Sequence, residues 1–185
     1  HQGLAQNLEF IRNSSVDVVL CHWALTLMDP VVPVLREVRR VLRTGGRFAA
    51  IIDGELSLAP GYDELNRLIY GWVQRECPAY GNFDLGDPRV RTNDSLLTLV
   101  TREFDDAKIA IEPSVMSLRG PSRQLAEEAV GFFYASFVLS PGAHAAMLDE
   151  VTQFFETMSD DTRRFAMPIN RLTVSPAFDR DIRTD

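Results

Sequence analysis

Residues 15–55 read SVDVVLCHWALTLMDPVVPVLREVRRVLRTGGRFAAIIDGE, and their patterning decides the fold. Val16 to Leu20 (VDVVL) form a short, nearly continuous apolar run rich in β-branched residues, the pattern of a strand buried on both faces. Asp29 and Pro30 then offer a cap and a first-turn proline for a helix. Within it Val31, Val34, Leu35, Val38 and Leu42 recur at helical spacing, while Arg36, Glu37, Arg39, Arg40 and Arg43 fill the other face. Gly45 and Gly46 are expected to end that helix, because glycine adopts a left-handed cap without penalty. Arg47 to Asp53 (RFAAIID) follows as a second buried strand. A strand, a helix and a strand this close together predict two parallel strands joined by a right-handed crossover.

Outward from this unit the regular alternation stops. Leu65, Leu68, Ile69 and Trp72 mark an amphipathic helix over 62–76. Residues 77–91 (CPAYGNFDLGDPRVR) read as a long Pro- and Gly-rich loop, and a loop of that length in a compact domain is often functional. A further helix opens at Asn93 or Asp94 and carries Leu96, Leu97, Val100 and Phe104. Lys108 to Ser117 predict a strand bent at Pro113. A helix is expected over 121–138, and another after Ser140 as cap with Pro141 at its first position. The last strand is expected to enter at Pro168 (PINRLTVS). The reading is one α/β domain over residues 1–176, with helical insertions at about 61–92 and 120–160 and a flexible tail at 177–185.

Composition narrows the function classes. With 26 acidic and 19 basic residues the net charge is −7, and no Lys/Arg cluster breaks that balance, which argues against a nucleic-acid surface. No apolar run reaches membrane-spanning length. Cys21 and Cys77, with three histidines in all, do not space as a zinc site. Asp53 and Glu55 end the second strand two residues apart, but no third metal ligand stands at a useful spacing, so no metal is expected. Two cysteines set far apart suit a reducing, cytoplasmic setting.

The segment 15–55 resembles class I S-adenosylmethionine-dependent methyltransferases, in the branch acting largely on small molecules. That family's fourth strand reads as "fDvV", here Val16-Asp17-Val18-Val19. Its "RvLkpGG" turn before the fifth strand is here Arg40-Val41-Leu42-Arg43-Thr44-Gly45-Gly46. Leu8-Glu9-Phe10, then Asn13 to Val16, look like its "LPF…fD" lead into strand four. The resemblance implies a partial Rossmann-like methyltransferase sheet in the order four, five, seven, six, with strand seven antiparallel between its neighbours. Strands one to three and their glycine-rich loop have no counterpart here, so the expectation is the carboxyl-terminal half of such a domain. In the family an aspartate accepts the adenine amino group; here Leu4 stands at that place, and only the Ala5 backbone amide is left to serve.

Open α/β sheets bind ligands beyond the carboxyl ends of their strands. The resemblance therefore places Leu4, Ala5, Cys21 and His22 at the cofactor, with His22 either a general base or a hydrogen-bonded linker. Trp23, Tyr70 and Tyr134 are the substrate-contact candidates, with core packing the alternative for each. The implied cofactor is S-adenosyl-L-methionine, bound by a parent enzyme and weakly or not at all by this chain. The alternative is a non-catalytic, self-associating module derived from a methyltransferase. In either case Val16 to Leu20 would form an uncovered apolar edge, so a homodimer through strand 16–20 is expected, the alternative being a monomer in which residues 1–12 fold back over that edge.

Overall fold

The computed structural model describes residues 1–80 and 86–176; the expected tail at 177–185 lies outside them, as does part of the loop at 77–91. In chain order the elements are β1 (Val16–His22), α1 (Val31–Val41), β2 (Leu42–Asp53), α2 (Tyr62–Glu76) and α3 (Asn93–Glu103), then β3 (Ala107–Leu118), α4 (Ser122–Phe132), α5 (Pro141–Glu156) and β4 (Phe165–Pro176). They form two compact units, one comprising His1–Asp53, Asp84–Pro113 and Ile169–Asp185, the other Gly54–Phe83 and Ser114–Pro168. The second unit takes up more chain on either side than the helical insertions expected at 61–92 and 120–160, except at the end of the first.

The first unit is built on the sheet, whose order is β1-β2-β4-β3. β1 and β2 are parallel, with His22 opposite Ile51, and β4 runs antiparallel to β2, with Val174 opposite Phe48 and Asn170 opposite Ile52. This is the expected order. The core lies on one face of the sheet. There α1 presents Val31, Val34, Leu35 and Val38, α3 presents Leu96, Leu99 and Val100 with Phe104 just after it, and the strands add Phe48, Ala50, Ile52, Leu172 and Val174. Burying each of these large side chains is worth about 1.5–3 kcal/mol, so this layer dominates the unit's stability.

Three expectations for this unit's strands and helix need correction. The run VDVVL is not buried on both faces: Val18 is 51% exposed and Leu20 76%, while Val19 and Cys21 pack against the core. β1 is the edge of the sheet, so only the face toward α1 and α3 is covered. Nor do the glycines cap α1. The helix ends at Val41, Leu42 is already extended, and Gly45 makes the left-handed bend (φ 74°) three residues later. A Cβ on Gly46 would lie 2.8 Å from the Arg43 carbonyl oxygen and 3.1 Å from that of Asp17, so the pair serves the strand entry. At the other end Pro30, not Asp29, occupies the cap position, with no side-chain cap bond.

The polar face of α1 does more than meet solvent. Arg36 pairs with the buried Glu103 at 3.0 Å, and Arg39 reaches the Glu103 carbonyl at 2.8 Å. Arg40 donates to the carbonyls of Leu8 and Ile11, both at 2.9 Å, and to Glu37, while Glu37 accepts the Leu8 amide at 2.7 Å. Residues 4–13, which have no regular structure, are thereby clipped to the helix.

The second unit is helical. Leu65, Ile69 and Val73 of α2, Leu125, Ala129 and Val130 of α4, and Met147, Val151 and Phe155 of α5 are among its buried residues. The helix expected over 121–138 is broken. α4 stops at Phe132, and a 3-10 turn spans Tyr134–Val138, because Phe133 leaves the helix to bury its ring against Tyr62 and Tyr70, with both centroids 6.0 Å away. β4 starts at Phe165 rather than Pro168; Pro168 is accommodated inside it, its carbonyl accepting the Gly54 amide at 3.1 Å. Among the described residues no helix is long and apolar enough to cross a membrane.

Candidate functional site

The chemistry-bearing residues of the first unit gather beyond the carboxyl ends of β1 and β2. After His22 the chain must leave the sheet sharply. Trp23 does so in the left-handed region (φ 50°), a conformation bulky residues seldom hold unless their surroundings impose it. Its amide donates to the Ile51 carbonyl at 3.0 Å, and its indole Nε1 donates to Asp53 Oδ1 at 3.1 Å. A short turn, Leu25–Leu27, follows, anchored by the fully buried Leu25.

A second loop comes back against this turn. Gly86 has φ 71°, and a Cβ there would stand 2.0 Å from the Thr26 carbonyl oxygen, so only glycine fits. The Asp87 amide donates to the Met28 carbonyl at 2.9 Å. The Asp87 carboxylate is buried and accepts from Arg89 Nε (2.9 Å), Nη2 (2.6 Å) and backbone N (3.0 Å). Arg89's side chain is the main reason that its pKa falls to about 2. The two loops and the end of β2 border an open cavity of about 330 Å³ lined by Thr26, Leu27, Asp53, Val90 and Arg91. Asp53 is fixed from behind as well. Asn170 Nδ2 donates to the Asp53 carbonyl at 3.1 Å and to Asn93 Oδ1 at 2.8 Å, and Asn170 Oδ1 is buried with no partner among the described residues.

Of the residues singled out from sequence, the structure brings Cys21, His22 and Trp23 to this end of the sheet. His22 is exposed, stands edge-on to Trp23 at 4.7 Å, and does not line the cavity. Cys21 is half-buried against the core; burial raises its thiol pKa, partly offset by the amides of Ala24 and Leu25, so the thiol stays protonated at neutral pH. Leu4 is 67% exposed, and Ala5 packs on the core. Tyr70 and Tyr134 belong to the second unit. Tyr70 lines a depression with Asn66, Arg67, Gly71 and Gln74, and Tyr134 is 64% exposed beside Phe137. Among the described residues no cluster of His, Cys, Asp and Glu could hold a metal ion.

Sequence reasoning missed Thr26, Asp87, Arg91 and Asn170 as parts of this region. The Pro/Gly-rich composition of 77–91 marks a loop of interest, but nothing local says which turn it meets. Asn170 is found only through the pairing of β4 with β2.

The family model described as "Methyltransferase domain" matches residues 1–50. No curated protein matches the sequence. Among solved structures, the chain is similar to a methyltransferase from an antibiotic biosynthesis pathway of Anabaena variabilis, with 15% identity and a TM-score of 0.62 over 95% of this chain and 72% of that one. It is also similar to a type II methyltransferase from Anaeromyxobacter dehalogenans, with 19% identity and a TM-score of 0.51 over 95% and 70%. These likenesses establish the fold, a partial Rossmann-like methyltransferase sheet, and the family model covers the chain's first 50 residues.

S-adenosylmethionine is that family's methyl donor, and the described residues do not by themselves fit it. Their positive-φ glycines are Gly45, at the entry to β2, Gly86, filled in by Thr26, and Gly61, in the helical unit. Only Gly61 stands in a loop that follows a strand and opens a helix, and a Cβ there would meet Met158 at 3.5 Å and Phe154 at 3.6 Å, so its approach side is already taken by side chains of the helical unit. The Leu4 side chain carries no acceptor for an adenine amino group, and its carbonyl already accepts the Asn7 amide at 2.9 Å.

Proposed function

We propose that the chain is the carboxyl-terminal part of an S-adenosylmethionine-dependent methyltransferase acting on a small molecule, and that alone it does not hold the cofactor. The observation that carries this reading is the half-covered edge strand. Val18 and Leu20 are exposed on the face away from α1 and α3, where this fold ordinarily has a further layer, and among the described residues β1 has a strand neighbour on one side only. A cavity of about 330 Å³ at the strand ends suits a small acceptor. Cys21 and Cys77 are both free thiols, which agrees with a reducing, cytoplasmic location.

Calorimetric titration with S-adenosylmethionine tests the reading. Each missing charged or bidentate contact is worth about 1.5–3 kcal/mol, so the loss of several moves a micromolar site beyond the millimolar range. One-to-one micromolar binding by the 185-residue chain would contradict it. The exposure of Leu20 favours a second reading, a self-associating module whose edge strands 16–20 meet in a homodimer. Light scattering at low micromolar concentration separates the two. A dimer mass that reverts to monomer in Leu20→Lys supports the module, and a monomer in both supports the first reading.

A further inference from the structure

We infer that the cavity at the ends of β1 and β2 recognises a small molecule through an amine or ammonium group, held by the Asp53 carboxylate. The inference rests on reading this cavity as the substrate site. Asp53 is placed by two independent contacts. Its carbonyl is gripped by the Asn170 amide, itself bonded to Asn93, and its side chain accepts from the Trp23 indole. Trp23 is in turn held in its left-handed backbone conformation by the bond to the Ile51 carbonyl. Such fixing from both ends is what a recognition group needs if it is to meet a ligand without further ordering.

Among the described residues this carboxylate has no ion-pair partner. Elsewhere in the unit Asp17 pairs with Arg43, Glu37 with Arg40, Asp87 with Arg89, Glu103 with Arg36 and Glu112 with Arg171. Among the described residues none of the ion pairs includes Asp53, although Arg91 lines the same cavity; Arg91 has a partner of its own. An indole N–H orients a carboxylate but brings no charge to neutralise it. Of the remaining wall residues Leu27 and Val90 are apolar, and Thr26 is uncharged. A fixed anion beside apolar walls is complementary to a compact cation with an apolar body, less so to an alcohol, and repels a carboxylate.

Three probes of one shape decide the point: phenethylamine, 2-phenylethanol and 3-phenylpropanoate, each titrated into the 185-residue chain while Trp23 fluorescence or amide NMR shifts are followed. Because Asp53 is solvent-exposed, the lower end of a charge-assisted bond applies, and the amine should bind about 10-fold more tightly than the alcohol. Asp53→Asn, with an unchanged circular dichroism spectrum, should erase that margin, and raising the salt concentration should shrink it in the unsubstituted chain. Equal binding of amine and alcohol, tighter binding of the carboxylate, a preference that survives Asp53→Asn, or no binding of any probe overturns the inference. The methyltransferase reading is tested separately by the cofactor titration, so its failure is distinguishable from this one.

Discussion

β1 and β2 are neighbours with similar apolar sequences, yet their surroundings differ. In β2, Phe48, Ala50 and Ile52 are at most 3% exposed, and the residues between them are flanked by strands on both sides. In β1, Val19 and Cys21 pack on the core while Val18 and Leu20 stay open. An apolar run thus specifies a strand, but its burial is set by what lies beside it. A β1 that is apolar on both faces is suited to a layer that these residues do not supply.

The largest expected effect comes from the filled side of this contrast. Phe48→Ala should destabilise the first unit by about 3–5 kcal/mol in urea unfolding, the usual toll of an aromatic truncation in a closed core. A loss below about 1 kcal/mol would mean that β2 is no better packed than β1. Next, Gly86→Ala should cost about 1–3 kcal/mol, because the new methyl meets the Thr26 carbonyl in a left-handed turn. The same variant should weaken any ligand of the cavity, since it shifts the loop that carries Val90 and Arg91; an unchanged affinity would show that the loop does not shape the site.

A smaller, pH-dependent effect concerns the clip on residues 4–13. Hydrogen bonds from Arg40, then from the Leu8 amide, outweigh burial and lower the Glu37 pKa from 4.5 to about 2. A carboxylate with a depressed folded pKa contributes stability that is complete above about 4.5 and fades as the pH falls toward 2. Hydrogen-exchange protection of the Leu8 amide, corrected for intrinsic rates, should decline across that window, and Glu37→Gln should remove the pH dependence. The smallest effect belongs to the open strand: Leu20→Lys should alter the stability of the monomer by less than about 0.5 kcal/mol. A penalty of core size would show that Leu20 is covered after all.

Much of the fold was legible from residues 15–55. The periodicities of VDVVL, Val31–Leu42 and FAAIID fix a strand, a helix and a strand, and the resemblance supplied the antiparallel placing of β4. What local sequence could not show was burial on one face only, since Val18 and Leu20 are as apolar as Val19. Phe133 leaving its helix was equally hidden, because helical spacing from Leu125 onward gives no hint of the aromatic pocket at Tyr62 and Tyr70. The site was half legible. The switch-point rule located Cys21, His22 and Trp23, whereas Asp53 was noticed only as a weak metal candidate. Its grip by Trp23 and Asn170 depends on a left-handed residue and on a partner strand more than a hundred residues away.

The most direct test of the account is residue-resolved hydrogen exchange along β1 and β2 at a concentration where the chain is monomeric. The bond from the Trp23 amide to Ile51 sets the phase, so the amides of Val19 and Cys21 face β2 while those of Val18, Leu20 and His22 face the free edge. The account predicts strong protection for Val19, Cys21 and Phe48 through Ile52, and rapid exchange for Val18 and Leu20. Uniform protection along Val18–His22 would contradict it, because the edge of the sheet would then be occupied.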